Sequence, residues 1–240
     1  MKEIIEFLKE LRVNNNREWF AAHKEEYLKV KEKVEALAQQ LIVGVASFDP
    51  DAGMLTAADC TYRIYRDTRF SLDKTPYKQH IGIFINPPYG KKSNRMGYYL
   101  HIEPGNCFVA VGTVCLPSKT VTAIRQSIYD NIDEYLEIIN APEFRTVYPV
   151  IGENCLKTAP KGIPKDWEHV RLVRPKDYVA SHALTMREMC SNKMPVKVTE
   201  LFRIAKPFND FINYTIDETG NYSAEVTPMR MSFGVMKGQN

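Results

Sequence analysis

The sequence lacks the residue patterns that mark most familiar chemistries. It holds no GxxxxGK[ST] phosphate loop, no GxGxxG after an apolar strand, no HExxH and no GxSxG. Cysteine is scarce. The five, Cys60, Cys107, Cys115, Cys155 and Cys190, are odd in number, and no two stand two to four residues apart. That excludes a disulfide framework and a cysteine zinc site, and it predicts a reduced, cytoplasmic chain with no metal and no cofactor. Long apolar runs are missing too. Nothing approaches the roughly 18 residues that a membrane helix needs, so no membrane partner is expected. The opening "MKEIIEFLKELR" mixes charge with apolar residues and reads as a helix, not a signal peptide. Net charge is small, +3, in a chain that is 25% charged and 44% hydrophobic, the balance of a globular protein. With no linker, repeat or low-complexity segment, the 240 residues read as a single α+β domain over 1–218. Residues 219–240 read as a loosely held C-terminal tail.

What is present is strong periodicity. Ile4, Ile5, Leu8 and Leu11 recur at helical spacing. Asn15 with Glu18 reads as a capping box opening a long helix over 16–43. Its stripe is Phe20, His23, Tyr27, Val30, Val34, Leu37 and Leu41, with Gly44 as its stop. From residue 61 the period changes to two. Strands are expected near 61–66, 80–86, 97–103 and 107–114, the last two joined by a Pro104-Gly105 turn. Such short connections predict an antiparallel sheet. Ser118 caps a middle helix with the stripe Val121, Ile124, Ile128, Ile132, Tyr135 and Ile139. Residues 141–183 read as irregular, with short strands. A last helix starts near Pro195 and is kinked or split at Pro207.

Charge is unevenly placed. Residues 61–100 carry eight Lys and Arg against two Asp, and most of that charge sits in "RIYRDTRFSLDKTPYKQH", residues 63–80. Arg63, Arg66, Arg69, Lys74 and Lys78 share this stretch with Tyr65, Phe70 and Tyr77. Guanidinium forks beside aromatic rings suit a phosphate or carboxylate. One reading is thus a pocket for a small phosphorylated or carboxylated ligand, lined by Arg63, Arg66, Arg69, Lys74, Tyr77 and Lys78. The other is a self-neutralising knot in which Asp67 and Asp73 pin the loop. Five cations against two carboxylates leave a surplus within the stretch. A nucleic-acid module and an enzyme using the same cations are further alternatives. The basic block is short and flanked by acidic segments, which places nucleic acid second.

Fewer signals lie elsewhere. His101, beside Tyr99, reads either as a general base or as a solvent-face histidine. Asn15, Arg17 and Trp19 are candidate pocket contributors, although capping already explains an Asn in that run.

"NNNREWF", "RIYRDTRFSLDKTPYK" and "GYYLHIEPG", followed by a helix carrying Ile124 and Arg125, resemble the signature of one family. It is a family of conserved hypothetical proteins of bacteria and fungi, the domain of unknown function numbered 2461. The resemblance spans roughly residues 3–215. It implies one domain and makes the Arg-Asp-Thr-Arg-Phe-Ser run a hallmark, but it brings no activity, substrate or cofactor. The chain departs from the family pattern at Asp166-Trp167-Glu168-His169.

Overall fold

The computed structural model describes residues 1–220. Four strands form one antiparallel sheet in the order β1-β2-β3-β4: Ile81–Ile85, Gly97–Ile102, Cys107–Thr113 and Tyr178–Leu184. Ile83 pairs with Leu100, Leu100 with Val109 and Val109 with His182. The β2–β3 connection is the expected turn. Gly105 has φ +83, as the third position of a type II turn requires, and Asn106 N–H donates to the Glu103 carbonyl at 3.0 Å.

The two sheet faces differ. Ile83, Leu100, Val109 and Ala180 belong to the main core. Phe84, Tyr99, Phe108 and Ala110 form a second, smaller cluster on the opposite face, with Tyr62 and Val179 packed on it. Every residue of β2 and of β3 is buried. Both faces of these central strands are therefore covered, with the polar His101 and Thr113 buried among apolar residues.

Helices cover the main-core side. The first is α1, Lys2–Val13, and it buries the whole predicted stripe together with Phe7. The long helix expected over 16–43 is in fact two. Helix α2, Arg17–Ala22, and α3, Lys24–Ala46, meet at His23, whose backbone leaves the helical region at φ −106, ψ 19. Asn16, not Asn15, caps α2, its side chain accepting from Trp19 N–H at 2.8 Å. Gly44 does not stop α3 but lies inside it. A Cβ there would collide with the Thr199 side chain, so the missing side chain admits a neighbouring helix. A short α4, Ala57–Cys60, follows.

The middle helix also divides, at Asn131, into α5, Ser118–Asp130, and α6, Ile132–Asn140. Pro117 takes the cap position, and Ser118 is already helical. A short α7, Pro142–Val147, and α8, Met186–Met189, flank β4 in sequence. Pro207 splits the last helix into α9, Met194–Ile204, and α10, Lys206–Glu218, each with proline in its first turn. Helix α10 is tied to the start of β2 by buried amides. Asn213 accepts from Met96 N–H at 2.7 Å, and Asn209 donates to the Gly97 carbonyl at 3.3 Å. No helix among the described residues is long and apolar enough to cross a membrane. Of the tail expected from residue 219, positions 221–240 lie outside the described residues.

One expected strand is absent. Residues 61–66 make only isolated bridges, Thr61 with Ile83 and Tyr65 with Tyr77. Their alternation is real: Ile64 is buried while Arg63 and Tyr65 are exposed. The segment pairs mainly with its own return arm, Arg66 N–H to the Pro76 carbonyl at 2.9 Å and Lys78 N–H to the Ile64 carbonyl at 2.8 Å. Pro76 has no N–H to give back, so this short ladder cannot extend. The fourth strand instead comes from residues 178–184, at the end of the stretch read as irregular.

Candidate functional site

The arms of the 63–80 stretch carry a loop whose charges mostly satisfy each other. The Arg66 guanidinium donates to the Asp73 carboxylate at 2.5 Å and also bonds the Thr75 hydroxyl. Asp73 accepts from Thr75 N–H at 2.9 Å. Asp67 holds Arg69 in a fork, Nε at 3.0 Å and Nη2 at 2.7 Å. Lys74 donates to the Thr68 carbonyl at 3.0 Å. Hydrogen bonds from Arg69 and from Thr75 hold the carboxyls of Asp67 and Asp73 down at about 2 each. Arg66, Arg69 and Lys74 are thus engaged within the loop itself.

Arg63 and Lys78 are different. Among the described residues neither makes an ion pair, and both line one cavity of about 380 Å³ beside β1. Its walls also include Tyr27, Tyr62, His80 and Tyr99. The Lys78 ammonium lies over the Tyr62 ring, 5.3 Å from its centre. Burial lowers the Lys78 pKa, and the Arg63 charge lowers it further. On the α3 side, Lys31 and Glu35 contribute an ion pair at 3.3 Å. The cavity therefore carries two unmatched positive charges. Burial brings His80 down to about 4, so His80 is neutral at pH 7.

A hydrogen-bonded chain ends at this cavity. His101 is buried, 5% exposed, which overturns the solvent-face reading. The second sheet face is itself covered, so alternation along β2 does not lead to water. His101 Nε2 lies 3.2 Å from Glu103 Oε2, and its Nδ1 lies 2.9 Å from the Tyr99 hydroxyl. Burial lowers the His101 pKa, partly opposed by its bond to Glu103. The Nε2–H of neutral His101 donates a hydrogen bond to the carboxylate, which leaves Nδ1 to accept from the Tyr99 O–H. Burial would raise the Glu103 pKa, but hydrogen bonds from Asn106 and His101 outweigh it and lower it overall. The Arg12 guanidinium at 2.9 Å adds to that effect. Tyr99 reaches the cavity across Gly82, where a Cβ would stand 2.7 Å from its ring.

The other sequence candidates stand elsewhere. Tyr77 is buried, its ring stacked on Phe20 at 4.0 Å. Asn15 clasps the Tyr77 backbone, Trp19 stacks on His23 at 4.0 Å, and Arg17 is exposed. None of these four lines the cavity. Sequence reasoning did not single out Tyr62, His80 or Glu103. Glu103 stands two residues after His101 on one strand face, and that spacing was the available signal.

Fold and site together define an α+β protein with a small cationic cavity at the edge of its sheet. The chain belongs to the family described as conserved hypothetical protein, DUF2461, whose profile matches residues 3–211. No curated protein and no solved structure matches it.

Proposed function

We propose that the protein binds a small phosphorylated or carboxylated ligand in the cavity beside β1, with Arg63 and Lys78 as its charge contacts. The observation that carries this reading is the pair of cations without an acidic partner among the described residues on one concave surface. Two like charges held together, the lysine depressed in pKa by burial and then by the arginine, are relieved by an anion. A volume of about 380 Å³ suits a small metabolite. The rings of Tyr27, Tyr62 and Tyr99 offer faces for an apolar or planar portion. The Tyr99–His101–Glu103 chain supports a further reading, an enzyme that moves a proton at the Tyr99 hydroxyl. A nucleic-acid partner has weaker support, because Arg66, Arg69 and Lys74 are already engaged in their own loop. The five free cysteines fit a reducing, cytoplasmic setting. Thermal-shift and calorimetric screens of nucleotides, sugar phosphates and organic acids test the proposal. Binding by the wild type that Arg63→Ala and Lys78→Ala each weaken at least tenfold supports it. No binding of any anion at low salt sinks it.

A further inference from the structure

Away from the cavity, α1 and the α2–α3 junction bring three metal-ligating side chains together: Glu10, His23 and Glu26. One donor atom from each lies within 4.8 Å of the other two. We propose that this cluster binds a divalent first-row transition metal through one imidazole and two carboxylates.

The imidazole is prepared for that role. His23 Nδ1 lies 2.8 Å from the Trp19 carbonyl. A carbonyl only accepts, so Nδ1 is the nitrogen that donates to it, and Nε2 is the ring nitrogen left for a metal. The ring also lies flat on Trp19, centres 4.0 Å apart and planes 16° from parallel, which fixes its plane. A backbone carbonyl that sets the tautomer and a packed ring that sets the orientation are the usual support of a metal-binding histidine.

Charge points the same way. Neither Glu10 nor Glu26 makes an ion pair among the described residues, with His23 or with any lysine or arginine. The three groups stand around a gap and do not close on each other. Two carboxylates beside one imidazole make a ligand set whose negative charge a divalent cation balances. His23 is the residue before α3 and Glu26 lies in that helix's first turn, while Glu10 comes from α1. A mixed nitrogen and oxygen set suits zinc, manganese or iron(II) better than calcium, which takes oxygen alone. Both carboxylates are exposed and His23 is half-buried, so positions on the metal stay open to solvent. Cysteine spacing, the signal used to expect no metal, carries no information about this site.

Calorimetric titration of the full chain with zinc, repeated with manganese, tests the proposal. Manganese is little held by the exposed thiols of Cys115 and Cys155. One equivalent should bind. Glu10→Gln and Glu26→Gln should each weaken it at least tenfold and His23→Gln should abolish it. Glu18→Gln, an exposed carboxylate of α2 outside the cluster, should change nothing. The two glutamate variants sit on the surface, and metal-free melting curves should show them folded. Arg63→Ala and Lys78→Ala should leave metal binding intact, which separates this site from the anion cavity. No binding of either metal overturns the proposal. So does binding that persists in all three cluster variants, or zinc binding lost only when Cys115 and Cys155 are replaced.

Discussion

Asn15 grips Tyr77 by its backbone at both ends. Its Nδ2 donates to the Tyr77 carbonyl at 2.9 Å, and its Oδ1 accepts from Tyr77 N–H at 3.1 Å. One amide thus satisfies both backbone groups of Tyr77, which its bridge to Tyr65 leaves open. It fastens the return arm of the basic loop to the turn before α2. Asn15→Ala should destabilise the fold by about 1–3 kcal/mol, because two half-buried backbone groups lose their partner. Asn15→Asp should also destabilise, since a carboxylate cannot donate to the Tyr77 carbonyl. Urea midpoints of the two variants against wild type measure this. An unchanged midpoint for both would mean the clasp is idle.

Arg63→Ala and Lys78→Ala should leave the melting temperature unchanged or raise it. Each removes one of two like charges that repel each other. The same changes should weaken anion binding. Wild-type affinity should also fall as pH rises into the alkaline range, because Lys78, with its lowered pKa, sheds its proton before an ordinary lysine. Titrations at neutral and alkaline pH follow it. A large loss of stability in either variant would assign these cations to the fold.

Acid should weaken the protein in two separate windows. His80 binds its proton at about 4 when folded and at 6.5 when unfolded. Between those values the unfolded chain holds more protons, so stability falls as pH drops from about 6.5 to about 4. The loss from this group is at most about 3 kcal/mol. Asp67 and Asp73 are depressed to about 2, so their contribution is present above the usual carboxylate range and disappears as pH falls toward 2. Denaturation curves at pH 7.5 and 4.5 isolate the first window, and His80→Asn should flatten it. An equal pH slope in that variant would move the effect to other groups.

Gly82→Ala should displace the Tyr99 ring and break its hydrogen bond to His101. Overpacking of this kind costs about 1–3 kcal/mol. Anion binding should drop along with it, even though neither cation is touched. Calorimetry on the folded variant gives the answer, and full retention of affinity would remove Tyr99 from the site.

The longer helices were legible because each has a stripe of apolar residues, and the β2–β3 hairpin because Pro104-Gly105 is turn chemistry; the short α4, α7 and α8 were not. Helix breaks were less so: nothing in the stripe through Phe20, His23 and Tyr27 signals that the backbone changes course at His23. The strand 178–184 was hidden by the proline- and glycine-rich chain before it. Residues 61–66 misled in the opposite sense, since alternation reports which way side chains face and not which segment supplies the partner. For the site, counting carboxylates indicated a surplus of cations. It could not tell which ones, because Lys74 is satisfied by a carbonyl, and carbonyls are uniform along any sequence. The burial of His101 was equally hidden, since it depends on what covers the far side of the sheet.

The reach of Tyr99 across Gly82 has a consequence for how the cavity holds its shape. Outer strands of a sheet open and reclose far more often than inner ones. Strand β1 is outermost, yet the hydroxyl that looks past it is carried by β2, paired on both sides. Fraying of β1 therefore leaves that hydroxyl, and the His101–Glu103 chain behind it, at rest. Arg63 and Lys78 lie on arms outside the sheet, which meet it at one isolated bridge, Thr61 with Ile83. The cavity thus takes one wall from a strand paired on both sides and its two cations from arms outside the sheet.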